Sequence, residues 1–165
     1  MRTAAAILLG LACMAHPAQA AAAAELPGRT IPGAGAWRLI EPPDPAGCSA
    51  RLQAGAGSDV DTMLLVNNAG KLVLVAGRGD WNLGPGAPKV TIRIDDLPPR
   101  TVQASMAVNL VLVLADNDAF YRQLRHARSL AWTLPMGRFG ADVTGLGAAF
   151  DAAVACKKSH PTPAG

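Results

Sequence analysis

Two cysteines, Cys48 and Cys156, restrict the folds open to this chain more than any other feature. They are the only cysteines after residue 20 of the 165, and a bond between them would close a loop of 109 residues, counted inclusively. In an exported protein, such a pair is more often a disulfide than two free thiols. A bridge requires the two Cα atoms to lie within about 7 Å of each other. We therefore predict a Cys48–Cys156 disulfide, with two buried free thiols as the alternative.

The first 20 residues have the form of a secretory signal. Arg2 supplies a positive charge, Ala4 to Ala15 form a short apolar run, and Ala18-Gln19-Ala20 places small residues at a cleavage site. The run is shorter than the roughly 20 residues of a membrane-spanning helix. Residues 1–20 are therefore predicted to be a signal peptide and the protein to be periplasmic or secreted, with lipid attachment at Cys13 as the alternative.

The mature chain is nearly neutral. Loss of Arg2 reduces the lysines and arginines from 15 to 14 against 12 acidic residues, so the formal charge falls from +3 to +2. No cluster of basic residues predicts a nucleic-acid partner, and no second apolar stretch predicts a transmembrane helix. The expected partner is a protein or another envelope ligand of unknown identity.

Composition and periodicity predict one β-rich domain. Residues 21–36 are rich in Ala, Gly and Pro and predict a flexible leader, residues 37–158 form the domain, and residues 159–165 form a disordered tail. Strand patterns occupy residues 37–40, 48–54, 62–66, 71–76, 89–94, 100–106, 108–115 and 129–134.

Two helices complete the predicted domain. The first spans residues 117–127 with Asp116 as its N-cap, and the second spans residues 146–157 at the C-terminus. The second helix has an apolar stripe of Leu146, Ala149, Phe150 and Ala153. The fold class is α+β and β-dominated, with an antiparallel sheet or sandwich of about eight short strands.

The tetrad Asn67-Asn68-Ala69-Gly70 also occurs in short-chain dehydrogenases. Those enzymes need a glycine-rich phosphate loop upstream and a Tyr-x-x-x-Lys pair downstream. Here the single tyrosine, Tyr121, is followed by Arg125 where lysine is required. With strand patterns on both sides, the tetrad predicts a hairpin turn.

The tripeptide Arg78-Gly79-Asp80 is a second short motif, and it is followed by Trp81. Cell-adhesion proteins present these three residues to integrins, so a host-contact loop is one interpretation. The alternative, which we favour, is an incidental surface loop in which the charged side chains are solvated and Trp81 returns to the core.

No motif predicts a catalytic, cofactor or metal site. The Asp59–Thr62 segment lacks the glycine that follows Asp-Thr in aspartic proteases, and the Asp116–Asp118 segment lacks the glycine and glutamate of a calcium loop. His126 and His160 have no partners at metal-ligand or catalytic spacing. The sequence therefore predicts a non-enzyme without a cofactor.

Several scattered features resemble the invasion-associated locus B family of small secreted proteins. They are Trp37, Cys48 in a "CSA" strand, an "ID" turn, "PMG", and the closing "TGLGAAFDAAVAC", although the chain lacks the additional cysteines of that family. The resemblance implies an exported, β-sandwich-like domain without known chemistry, and it carries over no catalytic residue. We expect an exported, non-catalytic binding or accessory protein of the bacterial envelope, a class that includes inhibitor-like proteins. A small hydrolase with a site not visible in sequence is the alternative, beside the host-contact module.

The export signal makes a direct prediction. The mature protein should begin at Ala21, because Ala18-Gln19-Ala20 presents the small residues that a signal peptidase reads. N-terminal sequencing and intact mass of the protein recovered from the periplasm or medium would check this. Recovery of a lipidated N-terminal Cys13 would contradict it.

Overall fold

The computed structural model describes residues 28–42, 47–55, 57–67 and 70–160. The predicted signal peptide, Cys13 and the last five residues of the predicted tail lie outside them. The strands are β1 (Arg29–Thr30), β2 (Arg38–Ile40), β3 (Ser49–Leu52), β4 (Asp61–Val66), β5 (Leu72–Gly77), β6 (Lys89–Ile94), β7 (Arg100–Gln103), β8 (Ser105–Ala107), β9 (Leu110–Leu114), β10 (Ser129–Leu134) and β11 (Gly137–Asp142). The helices are α1 (Asp118–Arg125) and α2 (Leu146–Ser159). Neither helix has the length and apolar character needed to cross a bilayer.

The strands form two antiparallel sheets, which confirms the predicted fold class. The larger sheet has the order β1-β2-β3-β4-β5-β9-β8, and the smaller has the order β11-β10-β6-β7. The described residues contain 11 strands, more than the roughly eight predicted. Part of the excess arises because the predicted strand 100–106 breaks at Ala104, where the chain leaves the smaller sheet as β7 and joins the larger as β8.

Both sheets bury one face in a common core. Alternate side chains of a strand point to opposite faces of the sheet. Leu64, Leu74 and Val113 lie in line across the larger sheet, and all are fully buried. They belong to one apolar cluster with Ile92 and Trp132 of the smaller sheet. The alternation predicted for residues 89–94 is confirmed.

The C-terminal helix covers one end of the larger sheet. Its buried residues recur every three or four positions, as expected for one helix face: Leu146, Ala149, Phe150, Ala153 and Cys156. The helix packs on β2, β3 and β4. At its last turn Cys156 forms a disulfide with Cys48, with a Cα–Cα distance of 5.8 Å. The predicted stripe and the predicted bridge are both confirmed.

Part of the predicted leader belongs to the fold. Residues 29–30 form β1, and Ile31 and Ala34 are buried. Gly145, at the start of α2, has φ +88°, and a Cβ there would lie 2.6 Å from the Cα of Ala34. The abundance of small residues, which suggested flexibility, instead permits this close approach.

Two local predictions are wrong. The N-cap of α1 is Asn117, whose Oδ1 accepts from the Phe120 N–H at 2.8 Å, and not Asp116. Both residues are good N-caps, so the sequence alone does not separate them. Val108, predicted to begin an apolar strand, is 68% exposed in the turn before β9, which begins at Leu110.

The disulfide predicts a measurable loss of stability. In Cys156→Ser, we expect unfolding free energy to fall by about 2 to 4 kcal/mol, because the 109-residue loop is no longer closed in the unfolded chain. Thermal unfolding measures the loss, and hydrogen exchange should show α2 losing protection first. Ala155→Ser introduces the same side chain at an exposed position of the same helix and should change little. Equal stability of the two variants would contradict the prediction.

Candidate binding cleft

A cleft of about 680 Å³ lies where the chain passes from the smaller to the larger sheet. Its walls include β7 and β8, part of β9 and the residues just before α1. The residues that line it include Arg100, Gln103, Ser105, Leu112, Leu114 and Asp116. The cleft is thus built almost entirely from one continuous segment of chain.

Arg100 is the positive group of this cleft. It stands opposite Ile92 in the register of β7 and β6, and its Cζ lies 4.9 Å from the centroid of the buried Phe120 ring. Such stacking stabilises a guanidinium and holds its orientation. Within the described residues no carboxylate lies within 4.0 Å of it. The cleft therefore contains a half-buried cation that is held in place without an anionic partner.

The rest of the cleft combines an apolar floor with an open strand. Leu112 and Leu114 point away from the core on β9, and Leu114 is 41% exposed. β7 pairs with β6 along one side, and no strand of the described part of the chain lies along its other side. Asp116, at the rim, is exposed and accepts from Asn117 Nδ2 at 3.3 Å. This combination suits recognition of a chain or ligand with apolar and acidic groups.

Asp95, next to the smaller sheet, has a structural role. Asp95 lies in the turn after β6 with φ +47°, and its Oδ1 accepts from the backbone N–H groups of Arg128 (3.0 Å) and Ser129 (2.7 Å). Burial alone would raise the pKa of Asp95, but these two N–H groups and the Ser129 hydroxyl outweigh burial and lower the pKa. Asp95 is therefore ionised at neutral pH and ties the turn to the start of β10.

Three further carboxylates bond to backbone in the same way. Asp59 accepts from the Gly140 N–H at 2.7 Å, and Asp61 accepts from the Ala54 N–H at 2.6 Å. Asp142 accepts from the N–H and hydroxyl of Thr144, and these two bonds lower its pKa. The structure thus uses these acids to fix loops.

The two histidines of the described residues, His126 and His160, lie apart from the cleft. His126 is the C-cap of α1. His160, predicted in the tail, is the C-cap of α2, with Nδ1 3.8 Å from the Cys156 sulfur and 4.0 Å from the Cys48 sulfur. These three ligand-type atoms lie within 4.8 Å of one another. Because both sulfurs belong to the disulfide, neither offers the thiolate that metals require, and His160 shields the bridge.

The Arg78–Asp80 loop is closed on itself. Arg78 donates to Asp80 through Nε at 2.9 Å and Nη2 at 2.7 Å, and this hydrogen bonding lowers the pKa of Asp80. Trp81 is buried with its ring centroid 5.0 Å from that of Phe139. Gly79 lies between the paired charges. The geometry suits an internally neutralised turn better than a loop that presents separate charges.

Sequence reasoning did not identify Arg100 as a site residue. The one available signal is its position, since it opens an alternating strand at a register that faces inward, where an aliphatic residue is usual. Phe120, which holds it, is 20 positions further along the chain. Only the register of β7 against β6 brings the two together.

The class defined by this geometry is a small, disulfide-closed domain of two antiparallel sheets with a C-terminal helix. No protein-family model matches the sequence, and no curated protein matches it. The fold is similar to that of a solved structure, invasion associated protein B from Bartonella henselae, with a TM-score of 0.55 and 15% identity. The match covers 78% of this chain and 99% of that one. The resemblance stated from sequence is thus supported at the level of the fold.

The lowered pKa of Asp95 predicts a pH-dependent contribution to stability. At pH 7 the wild type should be more stable than Asp95→Asn, because the amide keeps an acceptor but loses the charge that the N–H groups favour. A lowered pKa means that this advantage is present above the ordinary pKa of about 3.9 and is lost as pH falls through the folded value. Urea unfolding at a series of pH values measures it.

The control for this prediction is Asp96→Asn. Asp96 is the exposed neighbour of Asp95 in the same turn. Its substitution should shift the unfolding midpoint much less at every pH. A pH-independent difference between wild type and Asp95→Asn would show that the charge of Asp95 does not contribute.

Proposed function

We propose that this protein is an exported, non-catalytic binding protein of the bacterial envelope, acting as an accessory or inhibitor-like partner. The observation that carries the proposal is the cleft beside β7. It combines Arg100, which has no carboxylate partner among the described residues, with an apolar floor of Leu112 and Leu114 and an edge of β7 that no described strand covers. Binding sites of this kind join apolar surface with a few placed polar groups.

The distribution of titratable groups favours binding over hydrolysis. A hydrolytic site needs a nucleophile, a base and charge-stabilising groups that converge on one point. The titratable groups that line this cleft are Arg100 and Asp116. Asp95 and Asp142 are ionised and bonded to backbone, which suits structural roles better than proton transfer.

The disulfide and the fold neighbour support an extracytoplasmic location. Disulfides persist in oxidising compartments such as the periplasm and the medium. The neighbour is named for an association with invasion. For this chain we take from it only an envelope-associated, accessory role.

The proposal can be tested by site-specific photocrosslinking in intact cells. A photoreactive phenylalanine analogue at Ser105, in the cleft, should capture a discrete envelope partner. The same analogue at Thr133, an exposed residue of the inner strand β10 that does not line the cleft, is the matched control and should not capture this partner. Capture in equal amounts from both positions, or from neither, would contradict the proposal. So would hydrolysis of ester, amide or phosphoester substrates by the purified protein that is lost in a cleft variant.

A further inference from the structure

The two sheets have four outer edges in the described part of the chain, and three of them are short or covered. An exposed edge presents backbone groups that another strand can pair with. β1 has two residues, and β8 has three, of which Met106 exchanges backbone hydrogen bonds with Gly86. Along β11, Gly140 exchanges bonds with the backbone and side chain of Asp59. The backbone N–H of Asp142 donates to Ser58 Oγ at 3.0 Å.

The fourth edge, that of β7, is open. Its four residues pair with β6, and no backbone group of another described residue bonds to its outer side. Gln103, at its end, donates to the carbonyls of Ala87 and Pro88, which fixes its side chain beside the cleft. The fold thus protects the other edges and leaves β7 available next to the cleft.

The size of the cleft matches a short extended segment. A strand residue occupies about 160 Å³, given a rise of about 3.3 Å, a strand spacing of about 4.8 Å and a sheet spacing of about 10 Å. The cleft of about 680 Å³ therefore admits about four residues, the length of β7. Alternate side chains of such a segment would face Leu112 and Leu114.

Charge determines which segment fits. Arg100 offers donors for a carboxylate, and such charge-assisted bonds are stronger than neutral ones. Asp116 at the rim would repel a second acid, so one acidic group is expected at the Arg100 end. The β7 sequence Arg-Thr-Val-Gln contains no acid, so a second copy pairing through β7 would not supply one.

We propose that the cleft binds an extended segment of a partner protein, which pairs with the free edge of β7 and places one acidic group on Arg100. This inference rests on the proposed function and names the class of partner. The recognition mode is strand addition, in which backbone bonds provide affinity and alternate side chains provide specificity.

The probe is a displayed library of random seven-residue peptides, selected on the mature protein. Enriched sequences should alternate apolar and polar residues and carry one acid. A selected peptide is then resynthesised with its acid replaced by the amide, and separately with single backbone N-methyl groups. The acid replacement should weaken binding roughly tenfold, as expected for a charge-assisted bond. Backbone N-methylation should weaken binding at every second residue of the peptide, because alternate N–H groups of a strand bond to the neighbouring strand.

Arg100→Gln provides the protein side of the test. This substitution should weaken binding of the parent peptide roughly tenfold. It should leave binding of the amide peptide unchanged, because the amide replacement in the peptide and the Arg100→Gln substitution in the protein remove the same interaction. Arg93→Gln, exposed on β6 of the same sheet, is the control and should leave binding intact. Thermal unfolding checks that both variants fold, and the peptide substitutions need no protein variant.

Three outcomes would overturn the inference. They are an absence of enriched peptides, binding without acid preference or alternating N-methyl sensitivity, and concentration-dependent self-association that Arg100→Gln abolishes. None of them bears on the crosslinking experiment, whose capture of an envelope partner would still support the proposed binding function.

Discussion

Burial of a single face of the seven-stranded sheet is the constraint on which the rest of the structure depends. Leu64, Leu74 and Val113 must be covered, and the smaller sheet and α2 share that task. Because α2 covers the β2–β4 end, Cys156 comes over the start of β3, where Cys48 lies. The disulfide is therefore a consequence of how the sheet is covered, and it holds α2, the last element along the described chain, against the sheet.

The two sheets have exposed edge strands, and such edges can pair with other chains unless they are protected. Local features protect three of the edges in the described residues. They are the two-residue strand β1, an aspartate and a serine bonded along β11, and a backbone bridge from Gly86 to Met106 of β8. The aspartate is Asp59, which belongs to the sequence segment compared with the aspartic-protease motif. Within the described residues no such feature protects the edge of β7, so this edge remains available for binding another strand.

The sequence predicted the elements with strong periodicity and missed those that depend on register. β6 and α2 were predicted within two residues of their bounds because their apolar residues recur regularly. β11 was not predicted, since Gly-Arg-Phe-Gly-Ala-Asp shows no alternation and is held by bonds to Ser58 and Asp59. The site was missed for the same reason. The role of Arg100 depends on its position opposite Ile92 and on its contact with the Phe120 ring, and both are set by the register of β7 against β6.

The position of the disulfide has a consequence for the life of the protein outside the cell. Nine of the 11 described strands, β3 to β11, lie between the two linked cysteines and so belong to one covalent ring. A protease that cuts an exposed turn within the ring, such as the one between β6 and β7, leaves two pieces that cannot diffuse apart. Since their sheet partners stay at high local concentration, the nicked molecule can keep its fold. The two pieces can separate only when the disulfide is reduced as well.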